Sequence, residues 1–183
     1  MEHERVVKVL TIGDDDANIT HLVYHLAHDR LTTFRYFLDF FTQTVRTGEE
    51  KVKFQLWDCS PSLRSPPLSR AWYRGTSVLL IAYNPIIKTT FTNVRRWFDD
   101  ADCQLDSPAI RMLVEHTSSR NRPREVPIGA GQAMAESMGI LFGEVDSSSG
   151  EFNDDLLELL ANEIVSKFPL SDVPPSSHPP NRP

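Results

Sequence analysis

Several features that would place a chain quickly are missing or thin in this sequence. There are two cysteines, Cys59 and Cys103, in 183 residues. That excludes a disulfide-dense secreted scaffold and any four-cysteine zinc site. The longest uninterrupted apolar run, Val78 to Tyr83, has six residues, whereas a bilayer-spanning helix needs about 20. The opening Met1-Glu2-His3-Glu4-Arg5 is polar and runs into a strand-like segment, so no signal peptide is expected. A cytoplasmic chain with reduced thiols is the resulting expectation. Basic residues are outnumbered, 19 Lys and Arg against 25 Asp and Glu, and the net charge of −6 offers nucleic acid no general attraction. Proline is scarce in the body of the chain: six of its 13 fall between Pro169 and Pro183.

What is present suffices for one domain, with 40% hydrophobic residues to fill a core. Val6 to Ile12 is a β-rich run ended by Gly13, and a helical segment carrying Leu22, Val23 and Leu26 follows. Phe37 to Arg46 and Lys51 to Asp58 alternate around Thr47-Gly48-Glu49-Glu50, a hairpin signal. Ser60 to Ser69, with three prolines and four serines, reads as irregular loop. Strand and helix then alternate. Val78 to Tyr83 is a buried strand, and Phe91, Val94, Trp97 and Phe98 mark a helix. Ile110 to Val114 is a strand, with a polar loop expected from Glu115 to Arg124. Pro127 to Met138 reads as a helix and Ile140 to Phe142 as a short strand. Leu156, Leu157, Leu159, Leu160, Ile164, Val165 and Phe168 stripe a last helix. The pattern predicts an α/β fold, a mixed six-stranded sheet with helices on both faces over residues 1–168. Residues 169–183 lack apolar periodicity and are expected to form a disordered, Pro-rich tail.

Lys51 to Asp58 ending in Trp57-Asp58, then Trp72-Tyr73-Arg74-Gly75 fourteen residues on, then Arg124-Glu125-Val126, resemble the Rab branch of the Ras-like small GTPases. The resemblance runs from Val6 to Phe168 and implies the small G-domain fold. It also exposes departures. A phosphate loop needs Gly-x-x-x-x-Gly-Lys-Ser/Thr, glycine to let amides wrap the phosphates and lysine to neutralise them. The matching stretch is Gly13-Asp14-Asp15-Asp16-Ala17-Asn18-Ile19-Thr20. Asn18 replaces the second glycine, Ile19 the lysine, and three carboxylates stand where a triphosphate would arrive; Thr20 alone matches, as the family's magnesium-side hydroxyl. Two like charges at about 4 Å repel by about 4 kcal/mol even at an effective dielectric near 20.

The other nucleotide positions depart too. Asp-Thr-Ala-Gly-Gln of the family reads Asp58-Cys59-Ser60-Pro61-Ser62, so a phosphate-sensing amide becomes a proline and the water-orienting glutamine a serine. Arg35 stands for the magnesium-binding threonine of the first switch. The guanine-reading motif corresponds to His116-Thr117-Ser118-Ser119, without its carboxylate, and the last base motif to Asp146-Ser147-Ser148. Five altered motifs imply a pseudo-GTPase without catalytic residues, bound nucleotide or metal; a weakly binding, non-hydrolysing switch is the alternative. The prenylatable C-terminal cysteines of the family have no counterpart after Cys103, so no direct membrane anchor is expected unless the chain is trimmed.

The aromatic triad with which Rab proteins contact effectors corresponds to Phe40, Trp57 and Trp72. It reads either as sheet packing or as a constitutive protein-binding face of a subunit in a larger complex, since large aromatics with a polar handle are the residues most often found as interface anchors. The acidic triplet Asp14 to Asp16 reads as capping the first helix, and His21, His25 and His28 as a solvated helix face. Cys59 is expected to be buried, with no base nearby to make it a nucleophile.

Overall fold

The computed structural model describes residues 3–28, 40–61, 70–106, 108–152 and 154–168. Of the sequence expectations, Arg35, Ser62, most of the Ser60 to Ser69 loop and the tail lie outside the described residues. The first strand, β1 (His3–Gly13), leads through a 3-10 turn at Asp15–Ala17 into α1 (Ile19–Leu26). The hairpin follows as β2 (Phe41–Thr47) and β3 (Glu50–Asp58), paired antiparallel. A short α2 (Arg70–Tyr73) precedes β4 (Val78–Tyr83), α3 (Lys88–Thr92) and α4 (Val94–Asp102). The chain continues through β5 (Ile110–Thr117), α5 (Ala130–Met138), β6 (Leu141–Asp146) and α6 (Asp155–Lys167).

The six strands stand in the order β2-β3-β1-β4-β5-β6, and every pairing except β2 with β3 is parallel. All six residues of β4 are buried, as a strand covered on both faces requires. Alternation divides the core. Val7 and Val9 of β1, with Val78, Leu80 and Ala82, pack toward α1 and α6. Leu10 and Ile12, with Leu79, Ile81 and Tyr83, pack among residues of α4 and α5. Each such aliphatic side chain contributes about 1.5–3 kcal/mol by leaving water. Arg5, itself buried, joins β1 to β3 and to the end of α6 through the Glu50 carboxylate and the Phe168 carbonyl.

Several boundaries move from their expected places. The polar loop expected from Glu115 is still β5 up to Thr117, because Glu115 and His116 are paired rather than solvated. Likewise β6 runs on to Asp146. The helix expected at Pro127 starts only at Ala130, after Gly129 at φ 81°. Before it, the amides of Glu125 and Val126 both donate to the Pro85 carbonyl, which holds this segment out of helical form. The helix through Phe91 and Phe98 is two pieces meeting at Asn93. Leu159, assigned to the apolar stripe of α6, is exposed; the buried set is Leu156, Leu157, Leu160, Ala161 and Ile164.

Candidate functional site

In open α/β sheets, ligand sites form beyond the carboxyl ends of the strands. Here that edge gathers the loop after β1, the end of β4, and the ends of β5 and β6. Gly13 closes β1 at φ 151°, and a Cβ there would lie 2.5 Å from the Ala82 carbonyl oxygen, so only glycine fits. The next residues fold onto themselves. The Ala17 amide donates to the Asp14 carbonyl at 3.0 Å and the Asn18 amide to the Asp15 carbonyl at 2.9 Å. Asn18 takes the left-handed conformation, φ 55° and ψ 47°, and starts α1 by accepting the Leu22 amide. Ile19 has no exposed surface and belongs to the core packed around α1.

The capping role expected of the acidic triplet is not what the aspartates do. The Asp14 carboxylate accepts from Trp97 Nε1 at 2.8 Å and Asn93 Nδ2 at 2.7 Å, so it is drawn sideways to α4. Neither the 3-10 turn nor α1 carries a side-chain cap bond. Buried Asn84, at the end of β4, donates its Nδ2 to the Asp16 carbonyl at 3.1 Å and secures the loop from the other side. Asp15 and Asp16 present exposed side chains. Thr20 Oγ1 lies 3.3 Å from Ser60 Oγ, and Ser60 N donates to Asp58 Oδ1 at 2.9 Å. Pro61, half-buried, closes this described stretch.

The ends of β5 and β6 are tied to the same loop. His116 is fully buried; its Nδ1 lies 3.0 Å from the Ala17 carbonyl oxygen and its Nε2 2.8 Å from Ser147 Oγ. The carbonyl only accepts, so Nδ1 carries the proton and Nε2 accepts from the serine hydroxyl. Burial pulls its pKa down to about 4, against the opposing effect of the Ala17 bond. Asn18 Nδ2 donates to Ser118 Oγ at 2.7 Å. Burial pushes the Asp146 carboxyl upward, but bonds from the Ser148 hydroxyl and amide and from Arg120 outweigh this and hold it below its usual range. Ser119 Oγ accepts the Asn121 amide.

A cavity of about 640 Å³ opens over the ends of β5 and β6, walled by Thr117, Ser119, Arg120, Arg122, Asp146 and His25 among others. No residue from Gly13 to Thr20 lines it. In its wall Glu115, buried, receives a two-pronged bond from Arg124 at 2.5 and 2.9 Å and the Tyr83 hydroxyl at 2.5 Å. Burial first, then this bond to the carboxylate, pushes the Tyr83 phenol far upward. Sequence reasoning gave Glu115, Asn84 and Trp97 no role at the site and placed His25 on a solvated helix face. The continuing alternation of Ile110, Met112, Val114 and His116 was the available signal for β5. The helix face expected to be solvated is not: His25 is buried, and His21 and His28 are half-buried. Among the described residues no group of three His, Cys, Asp or Glu side chains is placed to hold a metal.

Phe40, Trp57 and Trp72 form one contiguous cluster, with ring centroids 5.1 Å apart for Phe40 and Trp57 and 5.8 Å for Trp57 and Trp72. Trp57 is its buried floor; Phe40 and Trp72 are half-buried. The Lys8 ammonium sits 5.0 Å from the centre of the Trp57 ring and donates to the carbonyls of Trp72 and Arg74. Cys59 is buried, as expected.

A mixed six-stranded sheet with one antiparallel hairpin, and loops from β1, β4, β5 and β6 gathered at one edge, defines the small G-domain class. The sequence profile of the Ras family matches residues 8–166, and the chain belongs to that family, as a Rab-type member. It is 26% identical over 176 residues to Ras-related protein RABE1e of Arabidopsis thaliana, covering 94% of this chain and 81% of the relative. Ras-related protein SEC4 of Saccharomyces cerevisiae is 29% identical over 171 residues, 91% of this chain and 78% of its own. Ras-related protein Rab-8B of Homo sapiens is 27% identical over 169 residues, 91% and 82% respectively.

Proposed function

We propose that this Rab-type G-domain works without binding or hydrolysing GTP, as a protein-binding subunit or adaptor in a larger complex, within membrane traffic. The observation that carries the reading is the state of the loop after β1. Phosphate binding at such a loop depends on free backbone amides and a lysine. Here the Ala17 and Asn18 amides are consumed by the 3-10 turn, and the side chain at the lysine position, Ile19, is core. The exposed carboxylates of Asp15 and Asp16 add repulsion toward any phosphate. His116 supports the same reading, since it binds the Ala17 carbonyl to Ser147 directly and braces the two loops against each other.

The partner-binding half of the proposal rests on the aromatic cluster of Phe40, Trp57 and Trp72, packed and orientated by Lys8. An aromatic cluster packed this way suits a partner bound constitutively rather than on a nucleotide cycle. Among the described residues no helix is long and apolar enough to cross a membrane; a cytoplasmic protein brought to membranes by its partner fits the proposal. The test is chromatography of the supernatant after denaturing protein purified without added nucleotide. The proposal expects no GDP or GTP; stoichiometric nucleotide would overturn it.

A further inference from the structure

Among the described residues, the outer face of β1, β2 and β3 is only partly covered. On the inner face Val7, Val9, Val45, Val52, Phe54 and Leu56 are buried in the core that includes residues of α1 and α6. The residues that alternate with them, up to Lys8 and Gln55, point the other way and are half-buried or exposed. Strand register sets these side chains in rows across three strands. Arg46, Lys51 and Glu4 form the first row, and Thr44, Lys53 and Val6 the second. Thr42, Gln55 and Lys8 form the third. Trp57 comes next along β3 on the same face, with the Lys8 ammonium over its ring. The rows therefore run without a break into the cluster of Phe40, Trp57 and Trp72.

We propose that this face receives an extended acidic segment of a partner protein, with an apolar side chain of that segment seated on the aromatic cluster. The inference rests on the partner-binding reading of the cluster and adds the partner's chemistry. Charge complementarity carries it. The rows hold four basic side chains, Arg46, Lys51, Lys53 and Lys8, and one carboxylate, Glu4, in a chain whose net charge is −6. Glu49, exposed, lies beyond the rows in the hairpin turn. Between the bases stand Thr42, Thr44 and Gln55, which hydrogen-bond, so the rows suit a polar occupant and their aromatic end an apolar one. Lys53 and Lys51 lie four and six residues before Trp57 on β3, about 13 and 20 Å along the strand. An extended segment repeats its side chains at the same spacing, so carboxylates four and six positions from an apolar anchor would meet these two lysines. An anionic membrane is the weaker fit. The rows fall short of the clusters of about four to eight unopposed bases that read as lipid-binding, and the net negative charge of the chain is repelled by such a surface.

The experiment is selection of random dodecapeptides displayed on phage against the immobilised full chain, followed by affinity measurements on the selected peptides in solution. Enrichment of Asp and Glu beside an aliphatic or aromatic residue is expected. Lys51→Glu with Lys53→Glu should weaken these peptides about 30-fold at low salt, because attraction at two positions becomes repulsion. At about 1 M salt, where screening acts within about 3 Å, most of that difference should vanish. Phe40→Ala with Trp72→Ala should weaken the same peptides. Loss on the aromatic variant with indifference to charge reversal would overturn the acidic chemistry and leave the cluster's partner-binding use standing. Loss on charge reversal alone would keep the acidic segment and overturn its seat on the cluster, and with it the reading on which the inference rests. No enrichment, or peptides indifferent to both variants, would overturn the proposal. So would binding of the wild-type chain to phosphatidylserine vesicles with no acidic peptide enriched, which would assign the face to a membrane. Should circular dichroism show that the charge reversal does not fold, Lys51→Gln with Lys53→Gln replaces it. A loss of about 5-fold is then expected, and none would overturn the proposal.

Discussion

Replacing Ile19 by lysine puts the residue that the family's phosphate loop uses into the position where this chain has core. Ile19 is completely buried, so the exchange discards about 2–3 kcal/mol of apolar burial. An ammonium in that place either stays charged in a poor medium or gives up its proton. A pKa lowered by about 3 units from about 10.4 adds about 4 kcal/mol. A surface ion pair with exposed Asp15 or Asp16 returns no more than about 1 kcal/mol. The net loss for Ile19→Lys is about 5 kcal/mol, the whole stability of many domains. Urea unfolding followed by tryptophan fluorescence measures it, with and without magnesium and GTP. The expectation is severe destabilisation that nucleotide does not repair. A variant as stable as wild type to within about 1 kcal/mol, and further stabilised by GTP, would show that the side chain faces a phosphate site and would refute the reasoning.

Glu115→Ala removes the acceptor of the buried Tyr83 hydroxyl, while Arg124, whose side chain is 35% exposed, can turn to water. The unpaired phenol sets most of the cost, about 2–3 kcal/mol, and Glu115→Gln should retain part of it by accepting from Tyr83. Equal denaturation midpoints for wild type and Glu115→Ala would contradict this. Phe40→Ala combined with Trp72→Ala removes the accessible part of the aromatic cluster but leaves its buried floor, Trp57. A partner that co-purifies with the wild-type chain should be lost with circular dichroism unchanged; undiminished recovery would place binding on another surface.

Much of the architecture was legible because it is written locally. The hairpin shows as two alternating runs around Gly48, and β4 as six apolar residues in a row. The Rab-type resemblance was legible in Trp57-Asp58 and the Trp72 to Gly75 run. What escaped depends on partners distant in sequence. Glu115 and His116 look like the start of a polar loop, yet Tyr83, Arg124, Ala17 and Ser147 satisfy them and allow β5 to continue. Asp14 looks like a helix cap because the neighbouring segment is a helix start. Its actual donors, Asn93 and Trp97, lie 79 and 83 residues away and are invisible to local pattern. The spacing of His21, His25 and His28 looks helical, but α1 ends at Leu26, and only the return of Phe152 and Asp154 shows that His25 and His28 are covered.

The proposed reading makes its sharpest claim at the loop where Ala17 and Asn18 spend their amides on Asp14 and Asp15. Thermal unfolding in the presence of magnesium with GTP or GDP tests it most directly. A nucleotide present at about 1,000 times its dissociation constant adds about 4 kcal/mol to a native state that binds it. For a chain of this size that is a rise in melting temperature of about 10 °C. The account predicts no rise at millimolar nucleotide. A saturable, magnesium-dependent rise of several degrees would contradict it.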